Sequence, residues 1–164
     1  MKIYLAGSVP KGDKEAMDFK NWRLEYQEIL KNIFDAEFID PYERELDESD
    51  FFGVVGKDCG QIRESDLIIV NAENKLGVGT SQELVIAKYF KKPVVTILPK
   101  DSAHRKSNVL FNNINIEDWI HPFIFTFSDL IYESIEKINK NEIENIKPKD
   151  ISIIDRAISH FEEK

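Results

Sequence analysis

Short apolar bursts alternate along this chain with stretches long enough to be helices, and that alternation restricts its fold more than anything else in it. Lys2-Ile3-Tyr4-Leu5-Ala6 stops at Gly7-Ser8, and Glu37-Phe38-Ile39 stops at Asp40-Pro41. Residues 67–70, 93–98 and 122–127 supply three more such runs. Brief runs rich in β-branched and aromatic residues suit strands covered on both faces. Between them, residues 14–33 repeat Phe19, Trp22, Tyr26, Ile29 and Ile33 at spacings of three and four, the stripe of a helix packed on a core. Further helices are expected over 51–64, from the Gly-rich turn before Glu83, and over 128–138. Together these predict a doubly wound α/β fold: a five-stranded parallel sheet with helices on both faces.

The tail reads differently. Residues 137–150 are polar, rich in Asn and Lys, and contain Pro148, as a linker would. Ile151, Ile154, Ala157, Ile158 and Phe161 then mark an amphipathic C-terminal helix that docks on its own domain or on a partner subunit. The expected division is an α/β domain over 1–138 and a linker plus helix over 139–164. A charged stretch, 42–50, reads as a connection long enough to lie over a site or simply to stay in solvent.

The formal net charge of −8, with 22 Lys and Arg against 30 Asp and Glu, argues against a general nucleic-acid binder. A small anionic substrate needs only one or two local cations and is still allowed. One cysteine, Cys59, leaves no internal disulfide and fits a reducing compartment. Cys59, His104, His121 and His160 lack metal-ligand spacing, so neither metal nor cofactor is expected. No apolar run approaches ~20 residues, and the chain starts directly in a strand pattern. These features give the expectation of a cytoplasmic protein with no signal peptide and no membrane span.

Open α/β sheets bind ligands beyond the carboxyl ends of their strands. Three segments fall there or nearby: Tyr4 to Gly12, Asp58 in the helix before the third strand, and Gly77 to Glu83. Residues 100–113, after the fourth strand, are a fourth. Thr80-Ser81-Gln82-Glu83 has two readings, a capping box that satisfies helix amides or a carboxylate presented at the crevice. Asp58 can equally be an exposed helix residue. Two carboxylates across a cleft suit chemistry at a sugar anomeric carbon, one attacking or stabilising C1′ and the other moving a proton. Lys11 and Lys75 are loop cations that either meet a ligand or stay solvated.

Ile3-Tyr4-Leu5-Ala6-Gly7-Ser8, the Asp58…Ser65-Asp66 spacing, and Gly79-Thr80-Ser81-Gln82-Glu83-Leu84 followed by Lys92-Pro93-Val94 resemble the nucleoside 2-deoxyribosyltransferase family. Its superfamily includes the 2′-deoxynucleoside 5′-monophosphate N-hydrolases. The resemblance covers roughly residues 1–135. It implies a flavodoxin-like sheet, a homodimer or larger homo-oligomer, and N-glycosidic cleavage through a covalent glycosyl–glutamate. Glu83 matches the nucleophile, Asp58 the second acid, and Tyr4 a phenol that positions nucleophile and sugar. Gly7 and Ser8 match the first ligand turn, and Gly79 opens the Gly-x-x-x-Glu turn.

The departures concern substrate. Transferases of the family commonly carry a base-reading acid where this chain has Val78. Leu76-Gly77-Val78-Gly79 looks instead like the monophosphate hydrolases, although Lys75 stands where they have a phosphate-contacting serine. Their Gly-Ser-x-x-Gly loop is one residue longer here, as Gly7-Ser8-Val9-Pro10-Lys11-Gly12. Those enzymes also take a phosphate-binding serine from the neighbouring subunit, and Ser107 falls close to that place, where a plain surface hydroxyl is the other reading. The expected activity is transfer of a deoxyribosyl group between bases, with monophosphate hydrolysis as the rival. A third possibility, a nucleotide-binding module without catalysis, would need the pocket but not Tyr4, Asp58 and Glu83 together.

Overall fold

In the computed structural model, which describes residues 1–43, 47 and 49–164, five parallel strands form one sheet. They are β1 (Lys2–Ala6), β2 (Glu37–Ile39), β3 (Leu67–Asn71), β4 (Val94–Ile97) and, after a hairpin, β7 (Leu130–Tyr132). Their order is β2-β1-β3-β4-β7, the flavodoxin-like winding, in which the chain switches direction between β1 and β3. Register is set by pairings such as Tyr4 with Ile68 and Ile69 with Val95.

Alternation along the strands feeds two cores. Ile3, Leu5, Leu67, Ile69, Val95 and Ile97 face one side, where Tyr26 and Leu30 of α2 (Trp22–Lys31) cover them. Tyr4, Ala6, Ile68, Val70 and Val94 face the other. There they meet Ile62 of α3 (Phe51–Glu64), Leu84 and Ala87 of α4 (Val78–Tyr89) and Phe127 of α5 (Pro122–Phe127). Helices therefore lie on both faces, as the sequence pattern predicts.

Four segments differ from expectation. Residues 14–33 form two helices, α1 (Gly12–Asp18) and α2, because the Asn21 side chain accepts from the Arg23 amide and starts a new helix. Residues 122–127 are helix rather than strand, since Pro122 occupies the first helical turn, where its missing N–H costs nothing. The fifth sheet strand is β7, within the segment expected to be helix, followed by a 3₁₀ turn at Ile135–Lys137. Residues expected as loop after β4 instead make the antiparallel hairpin β5 (Arg105–Phe111) and β6 (Ile114–Ile120).

In the tail, Ile138 and Ile143 pack into the core, the latter from α6 (Lys140–Glu144), and Ile153 anchors α7 (Ile153–Glu162). The expected charged loop over 42–50 includes residues 44–46 and 48, which lie outside the described residues. No helix among the described residues is long and apolar enough to cross a membrane.

Candidate active site

Tyr4 points from the middle of β1 toward the face covered by α3 and α4. Its hydroxyl donates to Glu83 Oε1 at 2.6 Å, a buried bond. Glu83 is 8% exposed and sits in the second turn of α4, whose N-cap is Gly77 without a side-chain cap. The capping-box reading is therefore not realised. The helix begins two residues before Thr80, which is buried in its first turn, and the Ser81 hydroxyl donates to the Gly77 carbonyl at 2.9 Å. Glu83 faces the sheet instead of the helix amides.

Burial raises the Tyr4 pKa far above the usual phenol range. The Glu83 charge and hydrogen bond, and the nearby Asp58 charge, push the same way, while Arg23 opposes them. The phenol consequently stays protonated and acts as a donor at any ordinary pH. Asp58 lies half-buried on α3, which packs against α4. Its neighbour Cys59 has its thiol pKa raised first by burial, then by the charges of Asp58 and Glu83. A protonated thiol of that kind is a poor nucleophile. Tyr4, Asp58 and Glu83 thus form one electrostatic cluster between β1, α3 and α4.

The turn after β1 is held by a residue that sequence reading missed. Arg23 is fully buried and donates to the carbonyls of Leu5 at 3.0 Å, Gly7 at 2.8 Å and Ser8 at 3.0 Å. It also pairs with Asp40 at 3.1 Å and lies over the Trp22 ring. A buried guanidinium is tolerable only with such complete bonding. Asp40 in turn accepts from the Tyr42 amide and the Asn21 carboxamide. The available signals were an arginine inside an apolar helical stripe and an acid directly after β2. Gly7 is required here, because a Cβ would stand 2.5 Å from the Trp22 indole.

Ser8 and Lys75 line one cavity of about 200 Å³ at the carboxyl ends of β1 and β3. Phe19 and Trp22 supply aromatic wall, and Lys20 and Asn71 polar groups. Gly79 is exposed in the first turn of α4, with open space where a Cβ would stand. Lys11 is exposed, its amide on Glu15, and does not line that cavity. Ser107 lies on β5, exposed, its amide donating to Asp101 at 2.9 Å, and it joins neither group within this chain. Among the described residues no cluster of three or more His, Cys, Asp or Glu could hold a metal ion.

No protein-family model matches the chain, and no curated protein matches its sequence. Solved structures do. A CMP N-glycosidase from Clostridium botulinum, 18% identical over 88% of this chain and 99% of its own, gives a TM-score of 0.46. A 2-deoxyribosyltransferase from Leishmania mexicana, 17% identical over 99% and 97%, gives 0.49. A 2-deoxyribosyltransferase from Bacillus psychrosaccharolyticus, 20% identical over 90% of this chain and 98% of its own, gives 0.57. The flavodoxin-like sheet reached above from strand order is thus the fold of that bacterial 2-deoxyribosyltransferase.

Proposed function

We propose that this protein cleaves the N-glycosidic bond of 2′-deoxynucleosides and hands the deoxyribosyl group to a second base. The observation that carries the proposal is the buried hydrogen bond from Tyr4 to Glu83. A carboxylate enclosed against the face of the sheet and held by a donor that cannot ionise is suited to attack in one orientation. In the first step a Glu83 oxygen bonds to C1′ and the base departs with the electrons of the C1′–N bond. Asp58 orients the sugar or gives the departing nitrogen its proton. In the second step a new base attacks C1′, the C1′–O bond to Glu83 breaks and restores its carboxylate, and the proton of the incoming nitrogen passes to Asp58 or to water.

The test is direct. Protein is incubated with deoxynucleosides and free base is followed by chromatography, first alone and then with a second base. Release together with appearance of the exchanged nucleoside is the expected result. No release from any deoxynucleoside or monophosphate would leave a binding module.

One observation favours a second reading, hydrolysis of deoxynucleoside 5′-monophosphates. Lys75 shares its cavity with Ser8 and Lys20, two cations and a hydroxyl suited to a phosphate, with the Glu73 carboxylate opposing them on the same lining. On that reading water takes the place of the second base. Lys75→Ala should then weaken only the monophosphate, by roughly the 1.5–3 kcal/mol of a hydrogen bond to a charged group. Insensitivity to Lys75, with free nucleosides used equally well, would return the chain to plain transfer.

The working form is proposed to be a homo-oligomer. Ile158 and Phe161 of α7 stay exposed, and with Phe123 and Ile154 they line an apolar groove of about 430 Å³. A second copy would cover it. Light scattering that finds only monomer would remove this element and leave the chemistry standing.

A further inference from the structure

The turn from β3 into α4 is held from outside the sheet. The Leu76 amide donates to His104 Nε2 at 2.9 Å, across 28 residues of chain. His104 stands at the foot of the hairpin, one residue before β5, and is itself fixed in place. Its carbonyl accepts from the His121 amide at 2.8 Å, and its ring meets the His121 ring edge-on with centroids 5.7 Å apart.

Leu76 also lines two cavities. One is the cleft with Ser8 and Lys75; the other, about 330 Å³, is lined by His104, His121, Ser81 and Gln82 among others. Where the Leu76 amide sits therefore determines where Lys75 sits before it and where Gly77, the N-cap of α4, sits after it. Through that cap it bears on the helix that carries Glu83.

An imidazole nitrogen accepts a hydrogen bond only while it carries no proton. The charged and titratable groups bearing on His104 are Lys75 from the turn and His121 from the start of α5. From α4 the shared cavity receives only the uncharged Ser81 and Gln82, besides aliphatic side chains. A proton on Nε2 would face the Leu76 N–H head-on, with the Lys75 ammonium and the His121 imidazole nearby.

We propose that His104 is a positioning residue for the candidate active site: neutral, it holds the Leu76 amide and so the turn bearing Lys75 and the start of α4, and protonated, it lets them go. Burial, then His121 and Lys75, lower the His104 pKa from the ordinary 6.5. The hold thus belongs to the neutral imidazole and is lost as pH falls below 6.5 through the lowered value.

The experiment is a ¹⁵N NMR titration of the whole protein between roughly pH 7.5 and 5, reading the Leu76 amide and the histidine rings. The Leu76 signal should move with the His104 ring at a shared midpoint below 6.5, and its solvent exchange should quicken by about tenfold or more on the acid side. His121→Phe keeps an aromatic ring but removes the imidazole that helps to lower the His104 pKa, so the shared midpoint should rise. In His104→Phe the Leu76 amide should exchange rapidly at every pH. A Leu76 signal that ignores pH, or that titrates unchanged in His104→Phe, overturns the proposal, as does a midpoint unmoved by His121→Phe.

An activity arm rests on the proposed function: the acid limb of base release should follow the same midpoint and vanish in His104→Gln. An acid limb that persists unchanged in His104→Gln counts against the positioning role. If no base is released at any pH, the catalytic reading falls, and the amide titration alone judges the hold on the turn.

Discussion

Helix α4 carries two buried polar contacts five residues apart, and they are built on opposite plans. Lys88 is fully buried and pairs with Asp129; its ammonium also donates to the Lys92 carbonyl at 3.2 Å. Asp129 further accepts from the Val94 amide at 2.7 Å and the Lys149 amide at 2.8 Å. Here a charge meets its opposite, and backbone groups on both sides complete the bonding. Glu83 instead meets a neutral phenol whose proton cannot leave. The first arrangement locks helix to sheet. The second sets a carboxylate against a phenol that can only donate, an arrangement that suits an acid kept for chemistry.

Four substitutions can break or sharpen that contrast. Glu83→Ala should remove base release by roughly 10³-fold or more, while urea unfolding stays close to that of the parent protein. Retained turnover would reduce Glu83 to the status of Lys88. Asp58→Asn preserves shape and most hydrogen bonding but removes the charge, and should lower kcat by about 10²-fold with a smaller change in KM. An unaltered kcat would take Asp58 out of the cluster.

Lys88→Met should do the reverse of Glu83→Ala. It strands the Asp129 carboxylate and should cost about 3–5 kcal/mol in urea unfolding, with kcat per folded molecule unchanged. A loss of activity greater than the loss of folded protein would mean that the two contacts are not separate. Tyr4→Phe is the mildest. It keeps the ring in its core and removes one hydrogen bond to a buried carboxylate, for about 1–3 kcal/mol of stability and about tenfold in kcat. A stability loss with no kinetic effect would show the phenol to be packing alone.

The three inner strands, β1, β3 and β4, were legible because each is buried on both faces and so reads as a continuous apolar run, as in Ile68-Ile69-Val70, whereas the edge strand β7 is three half-buried residues with no such run. The hairpin was not, because its strands are mostly exposed and mix Lys106, Glu117 and Asp118 with apolar residues. Its one clear signal was Asn112-Asn113, both at positive φ, the pair that a two-residue turn demands. Residues 122–127 read as strand because aromatic and β-branched residues favour strands, and only Pro122 argued for a helix start. The family resemblance paired Tyr4 with Glu83, but nothing in local spacing brings a phenol and a carboxylate together across 79 residues. Arg23 escaped notice since its worth lies in three carbonyls and Asp40, groups that no periodicity reveals.

That separation of 79 residues has a consequence for how the protein is made. β1 is a central strand that pairs with β2 on one side and β3 on the other, so the earliest part of the chain waits for later parts. A nascent chain holding only β1 and α2 already possesses the Gly7–Ser8 turn and Arg23, but no acid to place beside Tyr4. The Tyr4–Glu83 contact closes only when α4 has emerged and docked, a long-range step of the kind that slows folding. Synthesis that stops short of α4 leaves a fragment with the Gly7–Ser8 turn and without Glu83, so the buried Tyr4–Glu83 pair exists only in a chain that has folded through α4.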